Sequence, residues 1–333
     1  MKSKRTGLML SANFKKILIT GGTGSFGSAF LERLLQSDVE EIRIFSRDEY
    51  KQDLMLSKFS DSRINFIIGD IRDEDAISRA CVGIDGAFLA AAMKQVPSCE
   101  VFPIEAVKTN ILGVNNTLRS CVAQNVKSVV VLSTDKAVEP VNAMGQSKAL
   151  MEKVALAMGR DDVETRINIT RYGNVLASRG SVVPRFINEI RHQRPLTVTD
   201  LNMTRFLMSL NESVDLVLEA LDSNVSGRVF VKKAPAATVQ TIIEAISDIL
   251  SVTPHLNEIG PRPGEKYHET LITGEERAKA QETADYFIVN QTMQSDNDKV
   301  WPKHYTSAST KILDVEELVD IFRNNRQIKE LLQ

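Results

Sequence analysis

Cysteine is scarce in this chain: Cys81, Cys99 and Cys121 are the whole complement among 333 residues. The number is odd and the spacing fits no metal site. Neither a disulfide framework nor a thiolate-bound metal is expected, and the three thiols read as reduced core residues of a cytoplasmic protein. Cys99, five residues after Lys94, reads as a buried, inert thiol rather than a reactive one. The four histidines, His192, His255, His268 and His304, are scattered without metal spacing. A surplus of one charge sign is also missing. Lys+Arg 41 stand against Asp+Glu 43, a net charge of -2, so nothing recommends nucleic acid or an anionic membrane as the main partner. No long apolar run is present either. The opening MKSKRTGLMLSANFKK has only Leu8 to Leu10 as its apolar stretch, too short for a signal peptide or a membrane span. Repeats and low-complexity tracts are lacking.

What is present is the composition of a folded protein, 43% hydrophobic and 25% charged. The length exceeds what one compact core usually holds, which predicts two closely packed parts. From Lys16 the runs KILIT, EIRIF, INFIIG, GAFLA, SVVVLS and INITRY alternate with helix-period segments such as Ser25 to Gln36 and Val107 to Ala123. Runs apolar at nearly every position suit strands covered on both faces. With right-handed crossovers they predict an α/β fold: a Rossmann-like, doubly wound parallel sheet over residues 16–172, after an N-terminal extension, 1–15. After Tyr172 the rhythm shortens and prolines punctuate it, so residues 173–277 read mainly as a smaller, substrate-binding α/β part, with some segments free to rejoin the sheet. Residues 278–333 read as a polar segment followed by a helix from Val315.

Gly21-Gly22-Thr23-Gly24-Ser25-Phe26-Gly27 follows the first strand directly and opens a helix. Gly21, Gly24 and Gly27 let backbone approach a pyrophosphate, and the helix N-terminus supplies unpaired N–H groups, so the turn reads as a dinucleotide site with Thr23, Ser25 and Phe26 in its wall. The second strand ends at Ser46-Arg47, where NAD-preferring folds place an acidic residue. A hydroxyl and a guanidinium suit a 2′-phosphate, so NADP is the expected cofactor. Asp70 and Ile71 follow the third strand, the carboxylate placed for the adenine amino group. Ala90, Ala91 and Ala92 follow the fourth and leave room for the flat cofactor.

The fifth strand delivers Ser133-Thr134-Asp135-Lys136, and Met144-Gly145-Gln146-Ser147-Lys148 comes next. Together with the glycine turn, these residues resemble the extended short-chain dehydrogenase/reductases over nearly the whole chain. In that family a Y-x-x-x-K lysine binds the nicotinamide ribose and lowers the pKa of the tyrosine. Lys148 matches, but Met144 stands where the tyrosine belongs, and a thioether takes up no proton at physiological pH.

Thr134-Asp135-Lys136 resembles the inverting UDP-N-acetylglucosamine 4,6-dehydratases, whereas enzymes that retain configuration at C5 have Thr-Asp-Glu here. Phe45-Ser46-Arg47-Asp48-Glu49, Ala91-Ala92-Met93-Lys94-Gln95-Val96-Pro97, Met203-Thr204-Arg205-Phe206 and Arg262-Pro263-Gly264-Glu265-Lys266 are similar to that family too. A capsular and O-antigen polysaccharide subgroup of it resembles this chain in carrying methionine at the tyrosine position. The resemblance implies UDP-N-acetylglucosamine as substrate, a lyase reaction for surface polysaccharide, and a homo-oligomer, a hexamer. It assigns Lys136 to C5, as base and then proton donor, and Asp135 to the 6-hydroxyl.

Loss of water from C5 and C6 of a hexose needs a ketone at C4 to acidify the C5 proton. A base and an acid side by side at the carboxyl end of a strand suit that demand. For Lys136 to act as base, its pKa must fall well below about 10.4, as burial and the cations Lys94 and Lys148 would favour. Thr134 orients the 4-hydroxyl. Its proton goes to Lys136, Lys148 or an ordered water, among which the sequence does not choose. Lys94, Tyr172 and Asn174 are placed at nicotinamide, Lys94 and Asn174 also at substrate. Arg179, Arg205 and Arg262 are expected around the substrate diphosphate, and Ser181, Thr204 and Glu265 elsewhere at the substrate. The competing readings are a sugar-nucleotide 4-epimerase and a non-catalytic NADP-binding sensor or scaffold.

Overall fold

The computed structural model describes residues 10–11, 13–160, 164–178, 180–291 and 300–332. The short apolar runs become buried strands: Lys16–Thr20 (β1), Glu41–Ser46 (β2), Ile64–Ile68 (β3), Gly86–Leu89 (β4), Ser128–Leu132 (β5) and Arg166–Arg171 (β6). They pair in parallel in the order β3-β2-β1-β4-β5-β6. This is the Rossmann-like arrangement, and the chain reverses its direction of winding between β1 and β4, where a crevice opens at the carboxyl ends of the strands. β4 is buried at all of its positions because helices cover both faces.

The sheet does not stop where the first part was expected to end. Arg228–Lys232 adds in parallel to β6. Tyr286–Asn290 pairs antiparallel with it, and Ala280–Glu282 closes the edge. A segment expected in the substrate-binding part and two from the polar C-terminal stretch therefore complete a nine-stranded sheet. Tyr286–Asn290 buries Phe287 and Val289 in strict alternation. Five residues of period two, set in polar sequence, are too short a signal to read as a strand. The N-terminal extension is anchored at its end, for Phe14 is 2% exposed within the main core. Residues 1–9 lie outside those described.

A second core gathers Val183, Phe186, Ile187, Ile242, Ile246, Leu318 and Phe322 from the helices Val182–Arg191, Val239–Leu250 and Val315–Asn324. The last starts at Val315 as the spacing predicts, because Asp314 and Glu317 form a capping box. Beside it Asn174–Val175, Thr204–Met208 and Ala236–Thr238 form a three-stranded sheet. The expected helix from Val107 to Ala123 opens with a π-helical stretch, Val107–Gly113. Among the described residues no helix is long and apolar enough to cross a membrane.

Candidate active site

A cavity of about 660 Å³ lies over the crevice between β1 and β4. Gly21 has φ +66° there, and a Cβ on it would sit 2.7 Å from the Ala91 nitrogen. That close approach lets the glycine turn pass under Ala90-Ala91-Ala92. A Cβ on Gly27 would fall 2.4 Å from Gly22 Cα, so the helix Ser25–Leu34 lies directly against the turn. No side chain caps that helix at Gly24, which leaves its first N–H groups turned to the cavity for an anion. At the adenosine end, the hydroxyls of Thr23 and Ser46 meet at 2.9 Å. Arg47 pairs with Asp70 at 3.4 Å. Arg72 and Arg47 hold the Asp70 carboxyl below its usual range against the effect of burial. The sequence-derived cofactor positions, from Gly21 to Asn174, all line this one cavity.

At the other end, β5 delivers Thr134, Asp135 and Lys136, and the helix Ala143–Met158 brings Met144 and Lys148 against them. That helix is fixed at its start by Asn142, whose side chain caps Gly145 N–H at 2.8 Å and donates to the Gly264 carbonyl at 2.8 Å. The π-helical stretch contributes Thr109 to the wall and Asn110 beneath it. Asn110 Nδ2 donates to the Met93 carbonyl at 3.0 Å and to Ser147 Oγ at 2.9 Å, locking the strand-end loop to the helix that carries Lys148. Sequence reasoning missed Asn110, since an asparagine inside an amphipathic helix carries no distinctive pattern.

The two lysines are shifted in opposite directions. Lys148 Nζ donates to the Leu132 carbonyl at 2.6 Å and, among the described residues, pairs with no carboxylate. Burial pushes its pKa down to about 8, against the pull of Glu152. Lys136 behaves in the opposite way to the expectation. Burial works against its charge, but Asp135 at 3.1 Å and Glu269 at 3.2 Å outweigh burial and raise its pKa above the ordinary lysine value. The expectation counted neighbouring cations; the groups in contact are carboxylates. Glu269, 3% exposed, was not among the sequence-derived residues. Its only signal was its place just past the Arg262–Lys266 motif.

Thr134 donates to Asp135 Oδ1 at 2.8 Å, and its oxygen accepts the Lys136 N–H at 3.4 Å. Asp135 Oδ2 and Glu269 Oε2 are buried without a hydrogen-bond partner. Asn174 Oδ1, in the cavity wall, is another buried orphan acceptor. Met144, 4% exposed, packs with Cys99 and Ala106. Tyr172 does not replace the missing phenol. It stacks on Phe26 with ring centroids 5.7 Å apart, and burial raises its pKa far above the usual value.

The expected diphosphate residues do not gather at the cavity in the same way. Lys94 and Asn174 line it, as do Ser178 and Gly180. Arg179 lies outside the described residues. Ser181 caps no N–H of the helix Val182–Arg191, and its buried Oγ has no partner. The Thr204 hydroxyl meets Ser307 at 2.6 Å and His268 at 2.8 Å. Arg205 is 8% exposed and bonds the carbonyls of Thr204 and Tyr267 and the Glu265 carboxylate. Arg262 is exposed and away from the cavity. Thr204, Arg205, Arg262 and Glu265 are thus not in the cavity wall, and Arg205 reaches towards Glu269 at 4.0 Å. Among the described residues no cluster of histidine, cysteine, aspartate or glutamate suits a metal ion.

Known proteins resemble the chain over this whole arrangement. It is 46% identical to a protein of Rickettsia bellii named UDP-glucose 4-epimerase, over 96% of this chain and 98% of that one. The X-ray structure of Pen from Bacillus thuringiensis superposes with TM-score 0.89 at 37% identity, over 96% of this chain and 99% of that one. The crystal structure of DesIV, a dTDP-glucose 4,6-dehydratase from Streptomyces venezuelae with NAD and TYD bound, shares the fold. Its TM-score is 0.71 at 22% identity, over 76% of this chain and 86% of that one. Residues 17–291 match the family described as polysaccharide biosynthesis protein, and the chain belongs to that family.

Proposed function

We propose that this protein is an NADP-dependent, C5-inverting UDP-N-acetylglucosamine 4,6-dehydratase. The observation that carries the reading is the pair Asp135 and Lys136 at the cavity wall, with Lys148 held near neutrality and no phenol at position 144. The open helix terminus after Gly24 fits a pyrophosphate, and Ser46, Arg47 and Thr23 fit a 2′-phosphate, which supports NADP over NAD. When bound there, NADP would supply the hydride acceptor for C4 and the hydride donor for C6.

The chain's own groups supply the proton transfers. Lys148, as the free amine, takes the proton of the 4-hydroxyl while Thr134 Oγ holds that hydroxyl in place. Asp135, through its unpartnered Oδ2, relays to the departing 6-hydroxyl the proton that Lys148 took from the 4-hydroxyl, so that water leaves. Lys136 works at C5, first removing the proton and then returning one to the opposite configuration. Asn174 and Lys94 hold the sugar nucleotide from the wall. The product is UDP-2-acetamido-2,6-dideoxy-β-L-arabino-hex-4-ulose, a precursor suited to surface polysaccharide. Self-association belongs to the same reading, and the exposed Val101, Phe102, Ile104 and Leu150 on neighbouring helices support it.

A second reading is a 4-epimerase. It is favoured by the name carried by the Rickettsia relatives and by a charged Lys136, since C4 oxidation and reduction need only Lys148. Incubation with NADP and UDP-N-acetylglucosamine in heavy water separates the two. Deuterium at C5 with a new C6 methyl group marks dehydration; a changed C4 with neither marks epimerisation and overturns the first reading.

A further inference from the structure

Lys136 Nζ lies between two carboxylates from different parts of the chain. Asp135 Oδ1 stands 3.1 Å away on its own turn, and Glu269 Oε1 stands 3.2 Å away, just before the strand Thr270–Ile272. Both acids are almost fully buried, and each keeps a second, buried oxygen with no hydrogen-bond partner. Asp135 and Lys136 line the cavity; Glu269 is not in its wall. The Glu269 backbone is held by Ser307, whose hydroxyl accepts the Glu269 N–H at 2.9 Å and whose own N–H donates to the Glu269 carbonyl at 2.8 Å. Ser307 is in turn bonded to Thr204.

The other charges facing Lys136 are cations that do not touch it. Arg205, from Thr204–Met208, has its Nε 4.0 Å from Glu269 and is paired with Glu265 at 3.1 Å. Lys266, on the segment of Glu269, donates to the Val138 carbonyl. Lys94 and Lys148 line the same cavity. Among the described residues only the two carboxylates pair with Lys136, and an opposite charge in contact favours the charged form. Glu269 therefore strengthens the hold of the ammonium on its proton. That opposes the removal of H5, which needs the amine. It favours the return of a proton to C5, because only the ammonium has one to give.

We propose that Glu269 is a positioning residue that sets the balance between the two proton transfers of Lys136: it holds the ammonium in place for proton return to C5 and restrains the removal of H5. The protons balance without any titration of Glu269. The ammonium first releases one proton to water in the open cavity, an N–H bond breaking as an O–H bond of water's conjugate acid forms. The amine then takes H5: the C5–H bond breaks, an N–H bond forms, and the electron pair makes the C5–C6 double bond as the C6–O bond breaks. Once hydride has been returned to C6, the ammonium gives a proton to C5 and becomes an amine, which water reprotonates.

This inference rests on the dehydratase reading, and two measurements on the full chain separate them. Without substrate, brief pulses of acetic anhydride followed by peptide mass spectrometry report the amine fraction of Lys136 against pH. Glu269→Gln keeps an oxygen to accept from Nζ but removes the charge, and its Lys136 is expected to acetylate about tenfold faster than that of the wild type at the same pH. With NADP and UDP-N-acetylglucosamine in heavy water, single-turnover NMR follows loss of H5, deuterium at C5 and the C6 methyl. Elimination is expected to rise with pH in both proteins, with the rise in Glu269→Gln displaced to lower pH by about one unit or more, so that the variant is about tenfold faster near neutrality. At alkaline pH the variant is expected to accumulate the unsaturated 4-ketone, since proton return then lacks an ammonium. Glu269→Asp retains the charge and is expected to stay close to the wild type in both measurements. Unchanged acetylation of Lys136 in Glu269→Gln overturns the inference. So does slower elimination at every pH with no displacement of the rise, the mark of a structural role. A wild type that takes no deuterium to C5 overturns the dehydratase reading and the role in elimination with it; a displaced acetylation curve then shows that the reading failed and the contact did not.

Discussion

Ser133 Oγ donates a 2.5 Å hydrogen bond to Glu152 Oε1. The bond ties the loop of Thr134, Asp135 and Lys136 to the helix that carries Lys148, one turn before Glu152. Glu152 also accepts from Arg171 at 2.6 and 3.0 Å, and Arg171 reaches Glu276 at 2.9 and 3.0 Å. Arg171 is 2% exposed. A buried guanidinium that serves two carboxylates and the Leu271 carbonyl fixes β6 against the helix at Gly274–Ala278. The loop of Thr134, Asp135 and Lys136 thus rests on a charge cluster outside the cavity wall.

Glu152→Gln tests that connection. It leaves the buried Arg171 short of one carboxylate, at an expected cost of about 3 kcal/mol, since losing one partner of a buried ion pair is costly. Glu152 also opposes the depression of the Lys148 pKa. Removing its charge lets that pKa fall further, so the acid limb of C4 oxidation moves to lower pH. Thermal unfolding and a pH–rate profile check the two effects separately.

Lys148 itself sets a pH dependence. The rate of C4 oxidation is expected to rise as pH passes through about 8, because the amine is the form that accepts a proton. Lys148→Arg, charged throughout, is expected to lose the limb and most of the rate. Stability follows the same shift. The folded state holds the lysine proton less tightly than the unfolded chain, so stability rises with pH from about 8 towards the ordinary lysine value. Lys148→Met is expected to abolish that rise in urea titrations.

Met144→Ala separates packing from chemistry. The side chain is 4% exposed among Cys99 and Ala106, so its truncation is expected to cost about 2–5 kcal/mol of stability. C4 oxidation is expected to continue at a measurable rate, because no proton passes through a thioether. Complete loss of that step in a folded, NADP-loaded variant would show that the side chain does more than pack.

Arg47→Ala is expected to weaken NADP binding by about tenfold or more while leaving NAD binding nearly unchanged. It also removes one of the two cations beside Asp70, leaving Arg72. Fluorescence titration with each cofactor checks the ratio; an equal loss for both would assign Arg47 to the Asp70 pair alone.

Much of the fold was legible because it is written locally. The glycine turn, the runs from KILIT to INITRY and the cap before Val315 each act within a few residues, and sterics and periodicity over that range need no distant partner. The wall of the cavity was legible for the same reason. Strand ends of a doubly wound sheet converge on one crevice, so residues that follow β1 to β6 meet there whatever separates them in sequence. Where a residue's place depends on a long return of the chain, the local signal was silent. Tyr286–Asn290 looked like polar loop, and Thr204, Arg205, Arg262 and Glu265, expected at the substrate, are not in the cavity wall.

The amino-acid order alone determined a Rossmann-like sheet, a glycine-rich turn after its first strand and a carboxylate next to a lysine at residues 135 and 136. Tertiary structure decided how tightly Lys136 holds its proton. A pKa is a sum over neighbours in space, and of the two carboxylates that raise it at Lys136, Asp135 is its sequence neighbour while Glu269 arrives from a distant part of the chain.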